Sequence, residues 1–242
     1  MTYNNRASSL PLLGVRASHR GAPRVLRILD LFCKAGGASM GLHRAFPEAE
    51  IVGVDIARQP RYPFTFIQGD AMDFDLSGYD LIWASPPCQR FSVATKSENR
   101  ERHPDYIARL RVKLNANGKP WIMENVPLAP LENTVTLCGV MFGIGVFRHR
   151  RFESNMPLPK VEHKKHDGKI GDGKYFSVAG GAGRWRSWGV NYPGISKGKV
   201  GELRQAMGIE WMTRKELNEA VPPAYSEFLG AAVREILETH DV

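Results

Sequence analysis

The chain has 242 residues, 43% of them hydrophobic and 24% charged, which suits one large α/β domain, alone or with a small insert, and excludes a largely disordered chain. Its three cysteines, Cys33, Cys88 and Cys138, form no CxxC pair and fit a reducing compartment; the seven histidines show no metal-ligand spacing, so no metal is expected. No apolar run approaches the ~18 residues of a membrane span, so no membrane partner is expected either.

The net charge of +8 is unevenly placed. Residues 148–200 hold 12 Lys and Arg against 4 Asp and Glu, while the rest of the chain balances at 21 of each sign. A basic block confined to one segment is the footprint expected of phosphate binding, although many such blocks are only solvated surface.

Met1 to Arg24 carries no acidic residue and four arginines, Arg6, Arg16, Arg20 and Arg24. It has no apolar core for a signal peptide and reads as a disordered leader without an assigned function. Residues 25–32 form a first buried strand. The glycine-rich turn Cys33-Lys34-Ala35-Gly36-Gly37-Ala38-Ser39-Met40-Gly41 follows, then helical residues 42–46. Strand, glycine turn and helix together suit a nucleotide-like cofactor, because glycine admits close backbone approach and the helix N-terminus faces the ligand. A second strand, 50–54, ends at Asp55, which lies 18 residues beyond Gly37, near the ~20 expected of a carboxylate reading ribose hydroxyls. A third strand, 64–67, leads to Asp70. Acids at strand ends also cap helices, so each by itself is ambiguous.

Tyr79 to Ala84 is a short apolar run that reads as a buried strand. Ser85-Pro86-Pro87-Cys88-Gln89 ends it, since proline cannot donate to a ladder. Cys88 is thus delivered on a stiff turn at a strand's carboxyl end, where open α/β sheets bind ligands. It can be a nucleophile there, or simply a small buried residue. A helix over residues 102–115 follows, with Ile107, Leu110 and Leu114 on one face. The strand 119–123 brings Glu124 to the same edge as Cys88. Residues 146–152 alternate apolar and basic, which predicts a strand with one charged face. Residues 175–188 mix glycine, Arg184, Arg186 and aromatics, a composition able to approach phosphate and base edges. Three C-terminal helices are expected, over 201–207, over 213–219, and from Pro222-Pro223 to about residue 239, the last with Phe228, Ala232 and Ile236 facing the core.

These residues resemble the C5-type DNA cytosine methyltransferases. Asp30-Leu31-Phe32 with Gly36-Gly37 is similar to that family's cofactor loop, and Asp55 and Asp70 to its second and third cofactor positions. Pro87-Cys88-Gln89 resembles the nucleophile motif, Glu124-Asn125-Val126 the acid motif and Arg148-His149-Arg150 the Arg-x-Arg motif. Glu202-Leu203-Arg204 and Ala220-Val221-Pro222-Pro223 resemble the last two motifs. The order is the family's, from Asp30 to about Leu237.

The resemblance implies a Rossmann-like α/β methyltransferase sheet with helices on both faces. It implies a catalytic domain over residues 25–152, a small target-recognition region over 153–200, and a C-terminal part over 201–242 that completes the catalytic domain. It further implies S-adenosylmethionine as cofactor and a flipped-out cytosine in double-stranded DNA as substrate. Cys88 would attack C6, with Glu124, Arg148 and Arg150 in catalysis. Phe32, Ala35, Gly36, Gly37, Asp55, Ile56, Asp70, Pro87, Glu219 and Val221 would bind the cofactor. Gln89, Ser92, Arg184 and Arg186 would contact DNA. The expected enzyme is a cytoplasmic monomer. Three positions depart from the family: Lys34 stands at a usual glycine, Val146 at a usual glutamine and Glu219 at a usual asparagine. Lys34 and Glu219 either pair as a salt bridge beside the cofactor carboxylate, or Lys34 points to solvent and Glu219 only caps or decorates a helix. The rival readings are a tRNA cytosine methyltransferase, whose Cys-Phe-Thr stretch is missing here, and a non-catalytic DNA-binding relative.

Overall fold

The computed structural model describes residues 24–93, 95–163, 165–170, 172–178 and 198–240. Strands β1 (Arg27–Leu31), β2 (Glu50–Asp55), β3 (Thr65–Gln68), β4 (Leu81–Ala84), β5 (Trp121–Asn125), β6 (Val135–Leu137) and β7 (Arg150–Ser154) form one sheet in the order β3-β2-β1-β4-β5-β7-β6. The strands from β3 to β5 are parallel, and β7 runs antiparallel to both β5 and β6. The helices are α1 (Gly37–Ala45), α2 (Ile107–Asn117), α3 (Val200–Met207), α4 (Arg214–Glu219) and α5 (Pro223–His240).

Near-continuous apolar runs are what strands covered on both faces require. Ile28, Leu81, Trp83, Ile122 and Phe152 face α1 and α5, where Leu42, Tyr225, Leu229 and Val233 close one core. Leu29, Leu31, Val52, Ile82 and Met123 face Ile107, Leu110 and Leu114 of α2 in the other. Each such side chain contributes about 1.5–3 kcal/mol by leaving water. Helices α1 and α5 touch almost backbone to backbone. A Cβ on Gly41 would lie 2.0 Å from the Pro223 carbonyl oxygen and 2.1 Å from Ser226 Oγ, and Ser226 Oγ donates to the Ala38 carbonyl at 2.8 Å. The C-terminal helix is therefore packed directly on the helix that follows the glycine turn.

Four expectations of local structure are corrected. Helix α1 begins at Gly37, inside the glycine turn, rather than at Leu42. Residues 146–149 are irregular, and the strand starts only at Arg150. That strand has no solvated charged face. Lying between β5 and β6, it has Phe152 and Glu153 buried, and Glu153 is ion-paired with Arg111. On α5 the buried stripe is Tyr225, Leu229 and Val233, while Phe228, Ala232 and Ile236 are only partly buried. Phe228 flanks that core from the side. Finally, β6 was not anticipated; at three residues it offers almost no periodicity to read.

Candidate active site

The parallel strands end along one edge, and each delivers a different group there. Beyond β4 the two prolines end the ladder. Asn125 Nδ2 donates to the Pro86 carbonyl at 2.9 Å, and Trp83 Nε1 to Ser85 Oγ at 2.9 Å. The N–H groups of Phe91 and Ser92 then both donate to the Cys88 carbonyl, at 3.0 and 2.9 Å. Cys88 is thus fixed by a buried amide on one side and a tight turn on the other. Its thiol is partly buried; burial and the Glu124 carboxylate raise its pKa, against Arg150 and Arg148, which lower it.

Glu124 is the fourth residue of β5, and the antiparallel run of β7 places Arg150 at the same edge. Arg150 Nε lies 2.8 Å from Glu124 Oε1, with both side chains largely buried. Burial raises the Glu124 pKa and outweighs Arg150, Arg148 and Ser85, which hold it down. A carboxyl poised this way can accept a proton and give it back. Arg148 is bound differently. Its guanidinium donates to the Val178 carbonyl and, at 2.8 Å, to the Asn218 carbonyl, while Nε is buried without a hydrogen-bond partner among the described residues. Burial and the neighbouring Arg150 lower its pKa to about 9. The geometry therefore makes Arg148 a brace between the basic segment and the end of α4, and leaves Arg150 as the cation on Glu124.

A cavity of about 830 Å³ joins these groups to the glycine turn, lined by Asp30, Phe32, Lys34, Gly37, Pro87, Cys88, Glu124, Arg150, Glu219 and Val221 among others, within the size range of ligand sites. Three features of its far end fit a cofactor. Phe32 and Lys34 hold φ of 59° and 47°, sparsely populated conformations that persist where the fold imposes them. A Cβ on Gly37 would lie 2.4 Å from the Val221 carbonyl oxygen, so glycine turn and Val221 meet in backbone contact. Asp30 is fully buried. Ser39 donates to its Oδ2, but its Oδ1 has no hydrogen-bond partner among the described residues. Burial lifts its pKa from 3.8 to about 7. An orphaned carboxylate oxygen on a cavity wall is suited to an ammonium group. Asp30 opens the Asp30-Leu31-Phe32 stretch that resembles the family's cofactor loop, and the structure places it on the cavity wall.

Other expected cofactor residues are placed differently. Asp55 is buried and accepts the N–H groups of Lys34 at 3.1 Å and Ala57 at 2.9 Å, so it supports the turn from behind. Asp70 caps its own turn by accepting the Met72 N–H at 2.8 Å, and Ile56 is 69% exposed. None of these three lines the cavity. Ala35 is buried and its carbonyl accepts Trp211 Nε1 at 2.7 Å; Gly36 caps α1. Gln89 and Ser92 lie on the cavity wall next to Cys88. Arg184 and Arg186 lie outside the described residues. The salt bridge is present, with Lys34 Nζ 3.6 Å from Glu219 Oε2 and the side chains 45% and 47% exposed. Val146 is buried and also reaches the cavity. The sequence showed no metal-ligand spacing, yet the fold gathers Cys138, His149, His163 and His166 beside Arg148 and Arg150.

Comparison with known proteins agrees with the geometry. Residues 26–134 match the family described as C-5 cytosine-specific DNA methylase. No curated protein matches the chain. Among solved structures, the methyltransferase EhMeth of Entamoeba histolytica superposes with a TM-score of 0.52 at 13% identity, over 91% of this chain and 100% of that one. Smaller overlaps occur with the plantazolicin methyltransferase BpumL, at TM-score 0.29, 19% identity and 42% and 39% coverage of this chain and that one. The corresponding values for PKMT2 of Rickettsia typhi are 0.27, 14%, 41% and 21%. Residues 26–134 thus match the C-5 cytosine-specific DNA methylase family model, and the fold is similar to that of a methyltransferase.

Proposed function

We propose that the protein transfers a methyl group from S-adenosylmethionine to C5 of a cytosine in DNA, through a transient bond from Cys88 Sγ to C6. The observation that carries this reading is the convergence of Cys88 and the buried Glu124–Arg150 pair on one cavity that continues to the glycine turn. The family match supports methyl transfer as the reaction class.

Cytosine C5 is too weak a nucleophile to be methylated unaided. The Cys88 thiolate adds its electron pair to C6, and the C5–C6 π pair becomes available at C5 with negative charge spread toward N3 and O2. Glu124, when protonated, donates at N3, and Arg150 stabilises the charge beside it. Methyl transfer to C5 is followed by loss of the C5 proton; that electron pair re-forms the double bond and expels the Cys88 thiolate. When bound, the cofactor supplies the electrophilic methyl group and a positive charge that favours the thiolate. Asp30 Oδ1 would hold its ammonium, with the Gly37–Val221 contact shaping the wall and Lys34 near its carboxylate. The target atoms are unreachable inside a stacked duplex, so the base must leave the helix, and the basic segment over 153–200 is suited to grip the backbone.

The test is incubation with labelled S-adenosylmethionine and either DNA or tRNA, followed by trapping on DNA containing 5-fluorocytosine, where fluorine cannot depart as a proton does. Label in DNA and an adduct mapped to Cys88 are expected. Label in tRNA alone would overturn the substrate, and an adduct on Cys33 or Cys138 would overturn the nucleophile.

A further inference from the structure

Adjoining Arg148 and Arg150 through His149, which lies between them in the chain, is a cluster that the methyl-transfer chemistry leaves unused. Cys138 follows β6, His149 precedes β7, and His163 and His166 lie in the loop after β7. The Cys138 sulfur and one ring nitrogen from each histidine all lie within 4.8 Å of one another. Cys138 Sγ is 3.4 Å from His166 Nε2, and His149 Nε2 is 2.9 Å from His163 Nε2. We propose that Cys138, His149, His163 and His166 bind one zinc ion, as a closed structural site that pins the start of the basic segment to the sheet.

The donor set argues for zinc. Bond lengths of about 2.0–2.1 Å to nitrogen and 2.3 Å to sulfur put the corners of a zinc tetrahedron some 3.3–3.6 Å apart, the scale of the contacts here. Two imidazole nitrogens facing each other at 2.9 Å can share at most one proton; a cation between the four donors lets every one of them present a lone pair. One thiolate with three imidazoles is a borderline-soft set that suits zinc and is wrong for calcium or magnesium, which take oxygen. Asp167, next along the chain, is already engaged by Lys174 and Tyr175. With four protein ligands no corner remains for water, so the site is structural.

The surroundings hold the ligands ready. Cys138 is completely buried. The His166 ring stacks on Phe147 at 3.9 Å and 8°, and Phe147 in turn packs against Tyr175 at 4.5 Å. Ring orientation is thus fixed by packing, as outer contacts fix metal-bound imidazoles elsewhere. The ligands reach back 28 residues, from His166 to Cys138, so the bound ion would clip the loop after β7 to the sheet edge. Since His149 sits between Arg148 and Arg150, it would also set the path of the peptide that aims them.

The test uses the untagged full-length chain purified without chelator. Elemental mass spectrometry should find one zinc per chain. Exchange for cobalt should give the visible absorption of a tetrahedral ion and a near-ultraviolet thiolate-to-cobalt band. His163→Ala with His166→Ala should lose the metal, while His103→Ala, outside the cluster, should keep it; Cys138→Ser should lose the thiolate band. Chelation should lower the melting temperature of the wild-type protein, and zinc should restore it, a reading that needs no variant to fold. Absence of zinc together with failure to take up cobalt would overturn the proposal, as would full retention of metal by the double histidine variant. These readouts measure metal and not methyl transfer, so they stand or fall apart from the proposed reaction.

Discussion

Asp30 and Glu124 stand two strands apart on the same sheet, both buried and both with raised pKa values. Glu124 has a guanidinium beside it and is satisfied without any ligand. Asp30 has a serine hydroxyl on one oxygen and no partner among the described residues on the other. The first is a closed ion pair that can exchange a proton; the second keeps an acceptor in reserve. Desolvation costs the charged form of either group free energy; the hydrogen bonds from Ser39 and Ser85 offset part of it, and a neighbouring cation offsets more. The contrast teaches that the protein itself supplies a cation at the Glu124 end of the cavity and, among the described residues, none at the Asp30 end.

The hardest break is at the Glu124 end. Cys88→Ser should lower methyl transfer by at least about 10³-fold, as loss of a nucleophile does, while DNA binding by fluorescence anisotropy stays largely intact. Residual activity near wild type would remove Cys88 from the reaction. Glu124→Gln should cost roughly 10²–10⁴-fold, the range of a lost acid. It should also shift the alkylation of Cys88 to lower pH, because the Glu124 anion raises the thiol pKa and an amide does not. A midpoint that moves up, or stays put, would contradict that electrostatic link.

At the cofactor end the sign is fixed by Asp30. Its folded pKa, about 7, lies above its ordinary 3.8, so its contribution is fully present below pH about 4 and is lost as pH rises through about 7. The span of the loss is on the order of 4 kcal/mol. Asp30→Asn should flatten that part of the stability profile, measured by denaturant titration at several pH values. In the wild type, S-adenosylmethionine affinity should rise across the same window as the carboxylate ionises, and the variant should bind weakly at every pH. A wild-type affinity indifferent to pH would show that Asp30 does not take the ammonium.

The smallest effect belongs to Lys34 and Glu219. Half-exposed pairs are screened and contribute about 1 kcal/mol or less. A double-mutant cycle on cofactor affinity with Lys34→Met and Glu219→Gln should give a small, salt-sensitive coupling. A coupling of several kcal/mol would mean that the pair closes and buries when ligand binds.

What the sequence by itself determined is what short stretches enforce. Apolar runs become buried strands, two prolines end β4, and the residues that follow such strands arrive at one edge, which is why Cys88 and Glu124 could be assigned to that edge from their immediate neighbours in the chain. The face of α2 was equally legible, since Ile107, Leu110 and Leu114 lie within one helix. Only the tertiary structure decided matters that depend on which distant segments pack together. The antiparallel insertion of β7 joined Arg150 to Glu124 and turned Arg148 toward carbonyls of Val178 and Asn218. The position of α5 against α1 set its buried stripe on Tyr225, Leu229 and Val233. The path of the chain around β6 and β7 brought a cysteine and three histidines together. Local periodicity records which residues leave water, and it carries no information about partners that meet only when strands from separate parts of the chain are laid side by side.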